Sequence, residues 1–483
     1  MMYINWEKHL DFDSNIVSPN MREIIFVKGS SYEMGKQYGA EVGDMIKRNF
    51  CVVAGDALRN HTKEKIVSKL EVIVEEIRKK TPDIIDWYKG IADGSGLSFG
   101  EVVLINMQLW LTDPYLMCST IAATKSATCS QETIVGVNGD ITYNMSGYGV
   151  ILVAYPESGN AFITLPQLAG QLGANFVMND KGLIITFDGG ESELPEDTSF
   201  GYADFISAAV HTVSKCDEVN EAEKFLKDLC VAGGWIFLLA DANKKLEILE
   251  HTSDRDYVRL PGENGEVDFI NAANHFIHKE MRKSSLSYEE NKESYMRYDA
   301  ETQLLKDNIG DLSLEKMMDI LACHNTYENG VWKENVWGVV EGNYTPEMRA
   351  PDFRTGTRCF GIAEECTAYI LQGTADTHCS YMPESTGKYC KIQLLPTPRD
   401  TVYMMEENAI YETWLAAKRL SESTEQLQMN VPKLDDAKRH IAVGKNYLAK
   451  ANLYSEFDDE EARKHYGYAA SEFEYAYIKA LLV

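Results

Sequence analysis

The chain has 483 residues, a formal net charge of −27 and a pI of about 4.8, with 45% hydrophobic, 10% aromatic and 25% charged residues. That balance is globular rather than disordered, and its negative sign opposes approach to nucleic-acid backbones and to anionic lipid surfaces. No apolar run reaches the ~18 to 20 residues of a membrane span, and Met1-Met2-Tyr3-Ile4-Asn5-Trp6-Glu7 lacks the basic and apolar regions of a signal peptide; the expectation is a cytoplasmic protein with no nucleic-acid or membrane partner.

From residue 30 to 92 the pattern is helical. Met34, Tyr38 and Val42, then Ile66, Leu70, Ile73 and Ile77, recur at three and four with charged residues between. At Cys118 it changes to short β-prone runs: Ser119 to Ala123, Ile134 to Val137, Val150 to Ala154, Ala161 to Leu165 and Leu183 to Phe187. A helix over Val219 to Leu229 precedes strands Ile236 to Ala240 and Leu246 to Glu250, joined by the turn Asp241-Ala242-Asn243. Residues 283 to 324 read as helical and 357 to 373 as a strand pair, and beyond Asp400 two or three amphipathic helices end in an acidic segment.

Ten cysteines without a CxxC pair do not make a disulfide framework, and His275 with His278 has no nearby partners to complete a zinc set. Neither a metal nor a cofactor is expected. Gly29 to Gln37 has the wrong glycine spacing for a phosphate-binding loop, with Gln37 where Ser or Thr is needed, and Gly90 to Leu97 follows a helix rather than the strand a dinucleotide fingerprint requires. The adjacent Cys323-His324 pair suits a core better than a catalytic dyad.

Cys118 opens a strand where helix gives way to sheet. A cysteine made N-terminal there carries its own base, because an α-amine with an unperturbed pKa of ~7.7 to 8 can take the thiol proton. On the residues alone Cys129 competes with it, and a buried structural cysteine is the commoner state of either.

Several segments in order resemble the acyl-coenzyme A:6-aminopenicillanic acid acyltransferase (isopenicillin N acyltransferase) family: Lys28-Gly29-Ser30-Ser31-Tyr32-Glu33-Met34-Gly35-Lys36-Gln37-Tyr38-Gly39, Gly90-Ile91-Ala92-Asp93-Gly94-Ser95-Gly96-Leu97, Cys118-Ser119-Thr120, Val135-Gly136-Val137-Asn138-Gly139-Asp140, Met178-Asn179-Asp180-Lys181-Gly182-Leu183, Ala272-Ala273-Asn274-His275-Phe276 and Gly356-Thr357-Arg358-Cys359-Phe360-Gly361-Ile362. The spacing from Cys118 to Asn138 favours Cys118 over Cys129. The resemblance implies an α+β fold, the αββα sandwich of N-terminal-nucleophile hydrolases with an additional C-terminal helical segment. It divides the chain into a helical pro-segment 1–117 and a catalytic core 118–400, and the amphipathic helical extension 401–483, which exceeds the family's usual length, suits packing on the body or against another copy in a homo-oligomer.

The implied activity is that of a zymogen that cuts itself between Met117 and Cys118, then works as a cysteine amidohydrolase or acyltransferase on a small N-acyl or peptide-like amide through a thioester. Hydrolysis is favoured over transfer, since nothing marks an acceptor site; an amine acceptor or an acyl-CoA would be the additional partner of a transferase. By the resemblance, Asn274 is the side-chain oxyanion donor, Asn179 a backbone donor to the same oxygen, Asp140 the acid that positions the new α-amine and Arg358 its basic counterpart, with Arg354 and Asn138 as secondary candidates. Asn138-Gly139-Asp140 and Asn179-Asp180-Lys181-Gly182 read equally as turns. Departures are Met117 where the penicillin enzyme has glycine, Gly139 in place of tryptophan and Gly233-Gly234 in place of serines. A catalytically silent binding or assembly module and a lipid amide or ester hydrolase are the rival readings.

Overall fold

The computed structural model describes residues 2–6, 24–107, 117–142, 149–190, 202, 204–323, 325–328, 330–333, 354–371, 389–397, 402–405, 439–440, 442–444, 446–447 and 450. Strand β1 (Ile24–Gly29) leads into helices α1 (Ser31–Glu41), α2 (Gly43–Asn60), α3 (Lys63–Lys80), α4 (Pro82–Ser95) and α5 (Phe99–Asn106). Then come β2 (Met117–Ala123), β3 (Ile134–Thr142), β4 (Ile151–Pro156), β5 (Phe162–Thr164), β6 (Phe176–Asn179), β7 (Ile184–Gly189), α6 (Phe205–Lys215), α7 (Val219–Leu229), β8 (Trp235–Ala240), β9 (Leu246–His251), β10 (Asp256–Arg259) and β11 (Phe269–Ala272). Helices α8 (Lys292–Asp307) and α9 (Leu314–Leu321) precede the hairpin β12 (Thr326–Glu328) and β13 (Val331–Lys333), and β14 (Arg354–Ile362), β15 (Thr367–Leu371), β16 (Tyr389–Gln393) and β17 (Val402–Met405) close the second sheet.

Two sheets carry the fold. Their strand orders are β1-β4-β5-β6-β7-β8-β9-β10 and β11-β2-β3-β14-β15-β16-β17. Side chains alternate across each strand, so every strand feeds two different interfaces. From β7, Ile185 and Phe187 join the cluster shared with α1 to α7, whereas Ile184 meets Ala122, Val135 and Val137 of the opposite sheet. Ile121 and Ala123, on the other face of β2, pack with Leu305, Met317, Ile320 and Leu321 of α8 and α9. Three apolar interfaces of this kind separate four layers, helix, sheet, sheet and helix, which is the expected αββα sandwich.

The sequence dictates several local features. Ser30 and Ser98 each start a helix with a reciprocal capping box to Glu33 and Glu101, and Gly96 ends α4 in the left-handed region at φ 76°. The glycines of the two N-terminal motifs have a packing role: a Cβ on Gly35 or Gly39 would lie 2.3 Å from Trp87 O or 2.4 Å from Ile91 O, and one on Gly90 or Gly94 would lie 2.1 Å from Tyr32 O or 2.3 Å from Lys36 O. Helices α1 and α4 thus touch backbone to backbone. Only glycine allows that approach.

Two expectations need amending. The stretch before Cys118 is not wholly helical: β1 pairs in parallel with β4, Ile24 opposite Ile151. The region after 400 begins with a strand, β17, paired antiparallel to β16. Residues 439–440, 442–444, 446–447 and 450 are helical, and the remainder of the expected extension lies outside the described residues.

Candidate active site

Cys118 is the second residue of β2, nearly fully buried, with Gly139 opposite it on β3. Because Ala122 and Thr120 face the inter-sheet layer, alternation turns the Cys118 side chain the same way; Thr120 Oγ1 meets Thr186 Oγ1 of β7 at 2.5 Å across that layer. Cys129 lies beyond the far end of β2, exposed, with its N–H donated to Leu312 O.

Asn274, just past β11, grips the nucleophile's nitrogen. Its Oδ1 accepts the Cys118 N–H at 2.8 Å and Arg297 Nη2 at 2.8 Å, and its Nδ2 donates to Gly189 O at 3.0 Å. The amide orientation is fixed by its partners: a backbone N–H and a guanidinium only donate, and a carbonyl only accepts. Its own backbone is held as firmly, the N–H by Ser294 Oγ at 2.8 Å and the carbonyl by Asn291 Nδ2 at 3.1 Å. Ser294 also holds His275 Nδ1 at 2.7 Å, and burial pushes that imidazole down to about 3, so it stays neutral.

Arg297 was not among the expected residues. From the buried face of α8 its Nη1 donates to Cys118 O and to Ser119 Oγ, the latter at 2.7 Å. Ser294, Arg297 and Glu301 fall at three- and four-residue spacing on that face, a polar stripe where helix periodicity calls for apolar residues. That stripe was the signal available in the sequence.

The opposite sheet contributes two further residues that sequence reasoning missed. A Cβ on Gly139 would lie 2.5 Å from Asn175 Nδ2, so the Asn175 amide occupies the space that a larger residue at 139 would fill; Asn175 Nδ2 donates to Asn138 O at 3.3 Å. Asp188, at the end of β7, is fully buried, and neither carboxyl oxygen has a hydrogen-bond partner among the described residues. Burial drives its pKa well above the ordinary carboxylate value; the Glu301 charge adds to this and the Arg297 charge opposes it.

Other expected residues stand elsewhere. Asn179 is saturated at the β6–β7 turn: its N–H goes to Leu183 O, Oδ1 accepts the N–H groups of Lys181 and Leu183, and Nδ2 donates to Val213 O and Cys216 O, each at 2.8 Å. No N–H remains there for an oxyanion. Phe176, not Asn179, pairs with Thr186, so Asn179 lies toward the other end of β6 from Cys118.

Asn138 and Arg358 share the register row of Ser119, and Arg358 Nε donates to Asn138 Oδ1 at 3.2 Å while Asn138 Nδ2 donates to Leu321 O at 2.8 Å. That row faces the α8 and α9 layer. The guanidinium on Cys118 is that of Arg297. The backbones of Asp140 and Met117 pair with each other; the side chains of Asp140, Met117 and Arg354 lie outside the described residues. Gly189-Gly190 runs against Gly234, with Gly190 N–H on Gly234 O at 2.9 Å. Side-chain-free backbone therefore lines the layer beside Asn274.

No helix among the described residues is long and apolar enough to cross a membrane. A family sequence profile described as acyl-coenzyme A:6-aminopenicillanic acid acyl-transferase matches residues 128–340, a stretch that contains Asn138, Asp140, Asn175, Asp188, Asn274 and Arg297 but neither Cys118 nor Arg358. An uncharacterized protein of Archaeoglobus fulgidus is 24% identical over 356 residues, 62% of this chain and 58% of its own length, so the match spans less than two thirds of that relative. Among solved structures, a mutant conjugated bile acid hydrolase from Clostridium perfringens aligns with a TM-score of 0.40 at 10% identity, over 60% of this chain and 97% of the other. Penicillin V acylase from Agrobacterium tumefaciens aligns with a TM-score of 0.35 at 12% identity, over 57% and 91%. Through residues 128–340 the chain resembles the acyl-coenzyme A:6-aminopenicillanic acid acyl-transferase family.

Proposed function

We propose that the protein is a self-processing N-terminal cysteine amidohydrolase, acting on a small N-acyl or peptide-like amide through a thioester acyl-enzyme. The family match and the sandwich support an amide- or acyl-handling enzyme of this general type. One observation carries the finer reading: the N–H of the Met117–Cys118 peptide is held by Asn274 Oδ1, which is itself held by Arg297. An ordinary strand residue does not need its amide held by a side chain that a buried guanidinium from another element holds in turn. A scissile nitrogen that must later serve as an oriented α-amine does.

In maturation the Cys118 thiol attacks the Met117 carbonyl carbon, the C–N bond breaks and water hydrolyses the resulting thioester. The freed α-amine keeps one hydrogen on Asn274 Oδ1 and takes the thiol proton in each turnover. Arg297, bonded to the same oxygen, disfavours a second positive charge there and so keeps the amine available as a base. Asn274 Nδ2 has two hydrogens, one on Gly189 O and one left to meet the oxyanion of a tetrahedral intermediate. Asp140, whose backbone pairs with Met117, is the acid assigned to the new amine. The acyl group passes to water, or in a transferase to an amine.

Cleavage leaves the fragments together. Beyond the β1–β4 ladder and the shared core, buried Asn49, Tyr38 and Asn106 bond the 169–172 turn, and Tyr88 and Thr81 bond Asp204 and Tyr202. Intact mass under denaturing conditions tests the reading: wild type divides into 117 and 483 − 117 = 366 residue pieces, and Cys118→Ala remains whole. A wild-type chain that stays at full mass would rule self-processing out and favour a silent binding relative.

A further inference from the structure

Turnover has a base that maturation lacks. Once Cys118 is N-terminal its α-amine takes the thiol proton, but in the intact chain that nitrogen is an amide, too weak a base to do so, with its N–H donated to Asn274 Oδ1. Self-cleavage therefore needs a second group to accept the Sγ proton and to protonate the departing nitrogen.

The sandwich places one buried carboxyl on the Cys118 side of β7. Thr120 and Thr186 touch across the inter-sheet layer, so Cys118, two residues back along β2, and Asp188, two residues on along β7, both enter that layer. Asn274 bonds Cys118 N and Gly189 O, so both steps lead to the same end of the sandwich. Asp188 has no exposed surface, and among the described residues neither of its oxygens has a hydrogen-bond partner. A polar group buried in that state costs stability, so its retention calls for a role. Burial disfavours its ionised form, an effect the Arg297 charge opposes and the Glu301 charge reinforces. In its protonated form a carboxyl offers one acceptor oxygen and one O–H donor, the two halves of a proton exchange.

We propose that Asp188 is the proton relay of cleavage at Met117–Cys118, an inference that rests on the self-processing reading above. As Sγ bonds to the Met117 carbonyl carbon, the S–H proton passes to the carbonyl oxygen of Asp188 and the O–H proton of Asp188 passes to the Cys118 nitrogen as the C–N bond breaks. The products are a Met117 thioester on Sγ, a free α-amine and a carboxyl that is neutral again. Water then hydrolyses the thioester, restoring the thiol and leaving Met117 as a carboxylate. Among the described side chains, the other ionisable groups facing this relay are the Cys118 thiol from β2 and Arg297 and Glu301 from α8.

The test follows the full chain made by cell-free synthesis, with intact mass read at intervals after synthesis is stopped, for wild type, Cys118→Ala and Asp188→Asn. Asp188→Asn is expected to slow cleavage by about 10²-fold or more, and hydroxylamine should release no fragment from it, because no thioester forms. Cleavage of Asp188→Asn at the wild-type rate overturns the relay while leaving self-processing intact, and so does a hydroxylamine-sensitive thioester, which would place the block after the acyl shift. A wild-type chain that stays whole removes both. Far-UV circular dichroism and thermal unfolding check that Asp188→Asn is folded. If it is not, wild-type cleavage rates in H2O–D2O mixtures decide: two protons in flight give a bowed dependence on deuterium fraction, and a straight line overturns the relay.

Discussion

Asn274 holds the nitrogen of Cys118, its Oδ1 accepting the backbone N–H at 2.8 Å from a side chain 156 residues further along the chain. Replacing it should therefore affect chemistry before stability. Asn274→Ala removes the grip on the amide and the spare Nδ2 hydrogen together, and the rate of self-cleavage should fall by about 10² to 10³. Timed intact mass gives that rate, and an unchanged rate would remove Asn274 from the machinery.

Arg297→Lys retains a charge but loses the planar fork that reaches Cys118 O, Ser119 Oγ and Asn274 Oδ1 together. Each hydrogen bond lost from a charged donor should lower stability by about 1.5 to 3 kcal/mol, measurable by denaturant unfolding. The variant should also cleave more slowly than Arg358→Lys, since Arg358 bonds Asn138 rather than Cys118.

Asn179→Ala should separate the turn from the site. Every polar atom of Asn179 is bonded within the β6–β7 turn or to the end of α6. Its loss should destabilise the fold by about 1 to 3 kcal/mol through the unpaired groups it leaves. Alkylation of Cys118, followed by mass spectrometry, should keep its wild-type rate; a large drop would return Asn179 to the catalytic set.

The helix interlock predicts opposite results for two glycine-to-alanine changes. Gly90→Ala sets a Cβ 2.1 Å from Tyr32 O, backbone against α4, and should cost more than about 3 kcal/mol. Gly55→Ala, within α2 and with nothing within 4 Å, should stabilise by about 0.5 to 1 kcal/mol. Melting temperatures of the two variants test the interlock directly.

Asp204 supplies a pH dependence. Burial pushes its carboxyl up to about 6, against the lowering by its bonds from Tyr88 and Ser207. The folded state therefore binds the proton more tightly than the unfolded chain does, so the stabilisation is complete below the unfolded value near 4 and is lost as pH rises through about 6. Asp204→Asn keeps a good helix N-cap and cannot ionise, so its melting temperature should gain on wild type between pH 4 and pH 7. A constant difference across that range would contradict the assignment.

The helical and strand periods were legible in the sequence because burial leaves its mark locally, as in the Ile66, Leu70, Ile73 and Ile77 stripe of α3 and the alternating β7. Cys118 was legible as the start of a strand, and Asn274 through the resemblance. Strand β1 was not, because its six residues become a strand only by pairing with Ile151 and its neighbours, more than a hundred residues later.

Within the helices and strands it marked, the sequence by itself determined which residues share a face, since side-chain alternation and helical spacing are properties of neighbours along the chain. Tertiary structure alone decided which polar residues meet Cys118. Arg297 from α8 reaches Cys118 O, Asn175 ahead of β6 stands against Gly139 opposite it, and Asp188 at the end of β7 enters the same inter-sheet layer, while Asn179, equally plausible as a string of letters, is turned away by the register that pairs Phe176 with Thr186. Contacts between sheets depend on distances across the core, which no local pattern encodes.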